Sequence, residues 1–160
     1  MCRTASDTSQ DLCGFLGGIA GGAISDWLIR RGWTVSWARK TPYIVGMAGG
    51  SCLVLSASTE SNIVIVLLMT IAFFGRGAAA GAGTWAIVSD TAPREAVGLA
   101  GAVFNCVGNI GGIVTPSVFG YIVQATGGYN VGLYFVAAHC IVAALVYLFV
   151  MGKIERVKVS

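Results

Sequence analysis

Four long apolar stretches, separated by short polar clusters, limit what this chain can fold into more than any other feature. They cover residues 41–57, 62–88, 97–123 and 131–151. A helix needs about 20 mostly apolar residues to cross the hydrocarbon core of a bilayer, so each stretch predicts a membrane-spanning helix. Only 11% of the 160 residues are charged, against 56% that are hydrophobic. This composition excludes intrinsic disorder and predicts an all-α membrane protein.

A shorter apolar segment, CGFLGGIAGGAIS, precedes these stretches at residues 13–25. It is too short to span a bilayer alone and looks like the second half of a helix, behind an atypical polar leader at residues 1–12. A secretory signal would begin with a basic segment, whereas two aspartates precede this apolar core. The predicted organisation is therefore a leader, a transmembrane region over residues 13–157 and a cytoplasmic tail at residues 158–160.

Basic residues occupy alternate connecting segments. Segments 58–61 and 124–130 contain none, whereas eight lie in residues 26–40, in residues 89–96 and in the C-terminal tail. Because cytoplasmic loops are enriched in Lys and Arg, the basic segments and the C-terminus are predicted to be cytoplasmic in a multi-pass protein of the cell (inner) membrane. The eight are Arg30, Arg31, Arg39, Lys40, Arg94, Lys153, Arg156 and Lys158.

The sequence offers little from which to build an enzyme. The loops are too short for a soluble domain, and the spans contain no pair of carboxylates. The single histidine, His139, lies in the last span, where a polar contact between helices is the simpler role and a proton relay the alternative. Five cysteines without paired spacing predict neither disulfides nor a metal site. The ten Lys and Arg are too scattered to follow a nucleic acid. We expect no enzyme activity, metal, cofactor or nucleic-acid partner.

The third span carries a face of small and polar side chains. Steps of four, three, four and three residues separate Gly101, Asn105, Gly108, Gly112 and Thr115, which places all five on one side of a helix. We interpret this face as one turned toward a substrate. The alternative is a face for close helix–helix packing, with Asn105 as an interhelical hydrogen-bonding group.

The turn between the second and third spans places two further candidates at the same depth. Trp85 and Asn105 each lie ten residues from Glu95, near the tip of the turn SDTAPREA. At 1.5 Å per residue both would lie roughly 15 Å from that tip, so an indole and an amide could line one pocket. Thr84 and Asn109 are the neighbouring polar candidates.

Arg76 lies inside the second span, where a charged side chain is expensive and normally faces a bundle interior or a water-filled cavity. No acidic residue occurs in any span to neutralise it. Arginine suits bidentate recognition of a carboxylate, so an anionic ligand is one hypothesis; an ion pair outside this sequence and snorkelling to the interface are the others. Arg76 and Trp85 are half a turn out of phase, so they can share a cavity only if the glycine run between them bends the helix.

The segment GGAISDWLIRRG, residues 21–32, resembles the G-x-x-x-D-x-x-x-R-R/K-G loop signature of the major facilitator superfamily, in the copy between helices 8 and 9. Gly22, Asp26, Arg30 and Arg31 match it. In that family the acidic and basic residues latch helix ends on the cytoplasmic face and release them as the two halves of the transporter rock. The resemblance therefore implies a conformational latch at these four positions.

The following segments extend the resemblance over residues 14–157. They are ARKTP, FFGRG, TWAIVSDTAPREAVGLAGAVFNCVGNIGGIVTPSVFGYIV and GKIERV. Together they are similar to the C-terminal part of the anion:cation symporter family, and most similar to bacterial transporters of glucarate, galactarate and galactonate. The resemblance implies the end of helix 8 and helices 9–12 of a twelve-helix fold. It also implies proton-coupled uptake of a sugar acid, with Trp85, Asn105 and Arg76 at substrate-contacting positions.

Two functional hypotheses follow from the sequence. In the first, the chain is the C-terminal part of a sugar-acid symporter that cannot transport alone, because alternating access needs two halves moving around one site. Its partners would be the sugar-acid anion, protons, the bilayer and the missing N-terminal half. In the second, it is a self-standing four-helix protein that forms an oligomeric channel or assists assembly of another complex.

Overall fold

A computed structural model describes residues 2–156 of the chain, with side chains described for residues 10–156. Every long element in this range is a helix. In chain order they are α1 (Cys2–Arg30), α2 (Val35–Ser51), a 3-10 helix (Cys52–Ser58), α3 (Asn62–Gly83), α4 (Trp85–Thr91), a 3-10 turn (Arg94–Ala96), α5 (Val97–Thr126), α6 (Asn130–Leu145) and a π-helical turn (Val146–Val150). The all-α fold is as predicted. The tail proposed for residues 158–160 lies outside the described residues.

Two of the four predicted spans are helical with small shifts at their ends. Residues 97–123 form α5, which continues to Thr126 and ends where Gly127 takes a left-handed conformation with φ of 69°. Residues 131–151 form α6, which begins at Asn130 and loosens into the π-helical turn. A left-handed glycine ends a helix because it has no Cβ to clash in that conformation.

The other two predicted spans differ more from the structure. The span over 41–57 begins six residues early, at Val35, and changes to a 3-10 helix at Cys52. Its first turns contain Arg39 and Lys40, which donate hydrogen bonds to the Asp90 carboxylate and the Met151 carbonyl oxygen. Because both cations have these partners at the helix end, they do not prevent helix formation there. The span over 62–88 is broken at Thr84, which separates α3 from α4.

The short apolar segment 13–25 belongs to a longer helix, as its sequence predicts. It lies inside α1, and residues 10–30 of that helix are long and apolar enough to cross a membrane. Residues 62–91, 94–126 and 130–150 meet the same description, by length and composition. The segment therefore lies in the second half of a longer helix, as predicted, and the residues on both sides of it complete the length that a span needs.

Glycine and alanine bring the helix backbones into direct contact in the centre of the bundle. A Cβ at Gly17 of α1 would lie 2.1 Å from the carbonyl oxygen of Phe74, and one at Gly81 of α3 would lie 2.1 Å from that of Gly18. Gly46 of α2 meets Gly75 of α3 just as closely. Small residues allow this approach, which supplies the van der Waals contacts that hold helices together in lipid.

The contacts fix the helix directions. Where α1 contacts α3, the residue numbers increase together in both helices, from Gly14 with Gly77 to Gly18 with Gly81. These two helices are therefore parallel. Along α2 and α3 they rise in opposite directions, from Tyr43 with Gly83 to Gly46 with Gly75. The ends of α1 and α4, the start of α2 and the segment after α6 consequently meet at one end of the bundle. We call this the basic end; it contains residues 26–40, 89–96 and 151–156.

Helix α5 stands apart from this packed centre. None of its residues is buried in the described chain, and it meets its neighbours mainly near its two ends, where Trp85 contacts Gly101 and Phe119 contacts Gly132. A Cβ at Gly108 or Gly112 would meet nothing within 4 Å. The small face predicted on the third span is therefore met by Trp85 at Gly101, whereas Gly108 and Gly112 have no packing partner among the described residues.

The close backbone contacts generate a first prediction, with a matched pair of substitutions on α1. Gly17→Ala is expected to destabilise the bundle by about 1–3 kcal/mol, because the added methyl would overlap the Phe74 carbonyl. Gly22→Ala adds a methyl where nothing lies within 4 Å, and is expected to be neutral or slightly stabilising. Thermal unfolding in detergent micelles measures both. Equal stability of the two variants would contradict the packing of α1 on α3.

Candidate functional site

The break between α3 and α4 determines where Trp85 lies. Thr84 separates the two helices with φ of −109° and ψ of −71°, and its hydroxyl donates to the carbonyl oxygen of Ala80 at 2.5 Å. Trp85 is the first residue of α4 and is 53% exposed. Its ring meets the ring of Phe104 on α5 edge to face, with centroids 5.5 Å apart. The break thus turns the indole toward α5.

A tyrosine pair supports this break from the other side. The Tyr147 hydroxyl donates to the carbonyl oxygen of Gly83 at 2.9 Å, the kind of carbonyl that loses its intrahelical donor where a helix ends. Tyr147 also stacks on Tyr43 of α2, with ring centroids 3.5 Å apart. A Cβ at Gly83 would overlap the Tyr43 ring. Neither tyrosine is among the residues predicted from the sequence; the available signal was a polar hydroxyl within an apolar span.

Asn105 and Asn109 lie on the exposed side of α5. The Asn109 amide nitrogen donates to the backbone oxygen of Asn105 at 2.8 Å, so this amide is turned back onto its own helix. The Trp85 ring meets Gly101 and Phe104, which lie one helical turn and one residue before Asn105. The structure therefore brings Trp85 to the part of α5 that carries Asn105, while the pocket assignment itself stays a prediction.

Arg76 lies apart from Trp85 in the described chain. A cavity of about 340 Å³ beside Trp85 is lined by glycine and apolar residues of α1 and α3, and Arg76 is not among its lining residues. The Arg76 side chain is exposed, and its guanidinium carbon lies 5.9 Å from the centre of the Phe73 ring. Among residues 10–156, no carboxylate lies within 4.0 Å of it. Its proposed ligand role is therefore still without a structural partner.

Arg39 is the central cation at the basic end. It pairs with Asp26 at the end of α1 and with Asp90 at the end of α4, both at 2.9 Å, and it also donates to the Ser25 hydroxyl at 3.0 Å. Its side chain is only 13% exposed. The loop signature also includes Arg30 and Arg31, but both side chains are exposed, and Arg31 stacks on Trp27 at 4.0 Å.

Of the four residues proposed as a conformational latch, Asp26 alone belongs to this pairing, and the latch itself stays a prediction. Asp26 takes part, whereas the cation is Arg39 and the second acid is Asp90. Arg30 and Arg31 end α1 or follow it directly, so their side chains leave the bundle. Arg39 begins the next helix and faces back toward α1. Gly22 has open space around it and makes no close helix contact.

The segment after α6 returns across the basic end. The Lys40 ammonium donates to the Met151 carbonyl oxygen, the Ile154 backbone N–H donates to the Ser36 hydroxyl at 2.7 Å, and the Arg156 guanidinium donates to the Ser89 carbonyl oxygen at 2.9 Å. Ile154 is only 5% exposed. These contacts hold the segment after α6 against the start of α2 and the end of α4.

His139 makes a local contact. Its Nδ1 lies 3.0 Å from the backbone oxygen of Phe135 in the same helix, and the two rings lie 4.3 Å apart. The role predicted for His139 was a polar contact between helices, whereas this contact is made within α6. A side chain of this length reaches the preceding turn of its own helix more easily than a neighbouring helix.

Comparison with known proteins assigns the family. Residues 33–156 match the family described as sugar (and other) transporter. The chain belongs to this sugar transporter family. It is also 47% identical over 149 residues to the probable galactarate/D-glucarate transporter GarP of Escherichia coli K12, and 48% identical over 146 residues to the probable galactarate/D-glucarate transporter GudP of Bacillus subtilis 168. The resemblance to sugar-acid transporters of the major facilitator superfamily is confirmed, and the family is one of transporters, not enzymes.

The similarity covers most of this chain but little of its relatives. The alignment with GarP includes 93% of the chain and 33% of that transporter. A D-galactonate transporter of E. coli O6:H1 is 38% identical over 91% of the chain and 33% of its own length. The chain thus spans about a third of the length of the relatives it matches.

The pairing at the basic end predicts different effects for two nearby arginines of this sugar transporter family member. Arg39→Gln is expected to destabilise the chain by about 1–3 kcal/mol, because it leaves two carboxylates and a buried serine hydroxyl without their donor. Arg31→Gln removes an exposed charge and is expected to change stability by less than about 0.5 kcal/mol. Unfolding in detergent compares them, and a larger effect of Arg31→Gln would contradict the assignment of Arg39 as the central cation of the basic end.

The hydrogen bond from Tyr147 to Gly83 predicts that the position of the Trp85 side chain depends on the Tyr147 hydroxyl. Tyr147→Phe leaves the Gly83 carbonyl without this donor and is expected to destabilise the chain by about 1–3 kcal/mol. It is also expected to increase quenching of Trp85 fluorescence by acrylamide in a variant whose other tryptophans are phenylalanine. Tyr134→Phe removes an exposed hydroxyl from α6 and serves as the control. Identical quenching in both variants would show that Tyr147 does not support the break.

Proposed function

We propose that this chain forms part of a membrane transporter that takes up a sugar-acid anion together with protons. The observation that carries the proposal is the 46–48% identity to transporters named for galactarate and D-glucarate, over more than nine-tenths of the chain. The proposed partners are the sugar-acid anion, protons, the lipid bilayer and an N-terminal half that completes the transporter. The basic end is proposed to face the cytoplasm, with the protein in the inner membrane.

The proposed substrate-binding residues are Trp85, Asn105, Arg76, Thr84 and Asn109. The geometry supports the first pair best, because the break at Thr84 directs the indole toward the turn of α5 that carries Asn105. An indole and an amide suit a sugar acid, whose carbon skeleton packs on a ring while its hydroxyl and carboxylate oxygens accept hydrogen bonds. Arg76 supplies the positive charge that an organic anion requires in a membrane span.

The exposed face of α5 supports the proposal that an N-terminal half completes the transporter. Gly108 and Gly112 lie on a helix with no buried residue in the described chain, although glycine-rich faces in membranes serve close approach of another helix or of a ligand. In a two-half transporter the substrate lies between the halves, and this face would border it. The self-standing four-helix protein predicts instead that a second copy of the chain covers the face.

A chimera tests transport directly. Residues 14–156 replace the matching segment of E. coli GarP, and uptake of labelled glucarate is measured in cells that lack their own sugar-acid transporters. Uptake is expected to be restored and to fall when an uncoupler collapses the proton gradient. A chimera that reaches the membrane but does not transport any of glucarate, galactarate or galactonate would contradict the proposal, as would a stable homo-oligomeric channel formed by the unmodified chain.

Substitutions in the chimera test the residues. Asn105→Ala is expected to lower uptake about tenfold or more at low substrate, because a hydrogen bond to a charged group contributes about 1.5–3 kcal/mol. Trp85→Ala is expected to act similarly. Arg76→Ala is expected to be more harmful than Arg76→Lys, since lysine keeps the charge but loses the bidentate geometry.

Matched controls separate binding from folding. Trp37 lies at the basic end and is 53% exposed, as is Trp85, so Trp37→Ala removes an equally exposed indole away from the proposed site. Its uptake is expected to match that of the unsubstituted chimera, and membrane insertion is expected to be normal throughout. Equal, mild effects of both Arg76 substitutions would favour snorkelling over a substrate contact.

A further inference from the structure

The indole of Trp85 contacts α5 at one defined place. Its six-membered ring faces the bare backbone of Gly101, where a Cβ would lie 3.5 Å from the ring carbon Cζ3. The Phe104 ring meets the indole edge to face, with centroids 5.5 Å apart, a geometry that favours one relative orientation of the two rings. Gly101 and Phe104 are three residues apart and therefore share one face of α5. Contacts on α5 thus fix how the indole is turned.

The backbone that carries the indole is held by a different helix. Trp85 begins α4, two residues after Gly83 at the end of α3, so the direction of the chain at this break determines where the indole lies. The Tyr147 hydroxyl donates to the Gly83 carbonyl oxygen at 2.9 Å. In a membrane span no water replaces a lost donor. Without this hydroxyl the backbone around Thr84 would rearrange to satisfy the carbonyl, and Trp85 would move with it.

Tyr147 is itself held in place by α2. Its ring stacks on that of Tyr43, with an angle of 11° between the two planes, and Tyr43 is only 5% exposed. A Cβ at Gly83 would overlap the Tyr43 ring, so the missing side chain at this position lets the end of α3 approach the tyrosine pair. The hydroxyl that reaches the Gly83 carbonyl is therefore placed by packing between α2, α3 and the turn that follows α6.

Both supports act close to Asn105. Phe104 directly precedes Asn105, and Gly101 lies four residues before it, which is one turn away on the same face of α5 and roughly 6 Å along its axis. A ligand held by the Asn105 amide is therefore within reach of the indole in its present orientation. Groups that bind a ligand must be held within about 0.5 Å of their productive positions. A small rotation of Trp85 would thus weaken binding although Trp85 and Asn105 are both present.

From these contacts we infer that Tyr147 and Phe104 are positioning residues of the sugar-acid site. Tyr147 orients the backbone at the helix break and Phe104 orients the ring, so that Trp85 faces the ligand held at Asn105. These roles rest on the proposed function and extend it to two residues outside the proposed binding set. Each residue acts on the ligand through Trp85. Both therefore lose their influence on binding once the indole is removed, whereas a residue that only stabilises the fold keeps its effect.

A double-mutant cycle in the GarP chimera tests this dependence. Initial uptake of labelled glucarate is measured per inserted transporter for Tyr147→Phe, alone and combined with Trp85→Ala. Tyr147→Phe keeps the ring that stacks on Tyr43 and removes only the hydroxyl. With Trp85 present it is expected to lower uptake at low substrate about fivefold, through a higher KM at a nearly unchanged maximal rate. In the Trp85→Ala background it is expected to have no further effect, because the effects of residues in one network are not additive.

Three further variants make the result specific. Phe104→Leu removes the ring edge but stays apolar, and is expected to lower uptake about threefold with Trp85 present and not at all in the Trp85→Ala background. Phe104→Tyr keeps the ring and is expected to retain the uptake of the unsubstituted chimera. Tyr134→Phe removes an exposed hydroxyl from α6 and is the control for Tyr147→Phe. It is expected to leave uptake and KM unchanged in both backgrounds.

The possible failures are distinguishable. The same loss of uptake from Tyr147→Phe in both backgrounds, or loss of the inserted Tyr147→Phe protein, would assign this hydroxyl to the fold alone. Unchanged uptake in Tyr147→Phe and Phe104→Leu, while Trp85→Ala lowers it, would overturn the positioning roles and leave the proposed function standing. No effect of Trp85→Ala would overturn them as well, since the indole would have no ligand to face. An unsubstituted chimera that is inserted but transports no sugar acid would contradict both the roles and the proposed function.

Discussion

The structure depends on direct contact between helix backbones in a solvent that gives them no hydrophobic reason to associate. In water, burial of leucine or valine would hold α1, α2 and α3 together, but lipid is as apolar as those side chains. The helices instead meet at glycine and alanine, where backbone oxygens lie in the space that a Cβ would fill. This contact sets α1 parallel and α2 antiparallel to α3, and the other helices are arranged around that core.

Two sets of polar contacts then fix the helix ends and the helix break, which the glycine contacts do not determine. At the basic end, Arg39 joins the ends of α1 and α4, and the segment after α6 closes over α2. Deeper in the bundle, the Tyr147 hydroxyl satisfies the Gly83 carbonyl, so the chain can change direction at Thr84 and present Trp85 to α5. Since an unsatisfied backbone group in hydrocarbon is costly, the break and its tyrosine support are physically one feature.

The sequence predicted the helices better than their interruptions. The apolar stretches identified α5 and α6 to within a few residues, and the alternating charges grouped the segments that meet at the basic end. The start of α2 was missed because Arg39 and Lys40 look like loop residues until their partners are known. The break at Thr84 was anticipated only as a condition for bringing Arg76 and Trp85 together, and in the structure Arg76 still does not line the cavity beside Trp85. Residue spacing assumes a regular helix, so it does not predict the position at which a helix is interrupted.

By itself, the sequence determined that this chain is a bundle of membrane helices, which of its segments share an end, and which family it belongs to. These properties follow from composition, from local periodicity and from residue order, and none requires knowledge of a distant contact. The tertiary structure alone decided that Arg39 rather than Arg30 or Arg31 holds Asp26 and Asp90, and that Tyr147 supports the helix break. Each of these depends on the direction of a side chain from one helix toward another, and the packing of whole helices sets that direction.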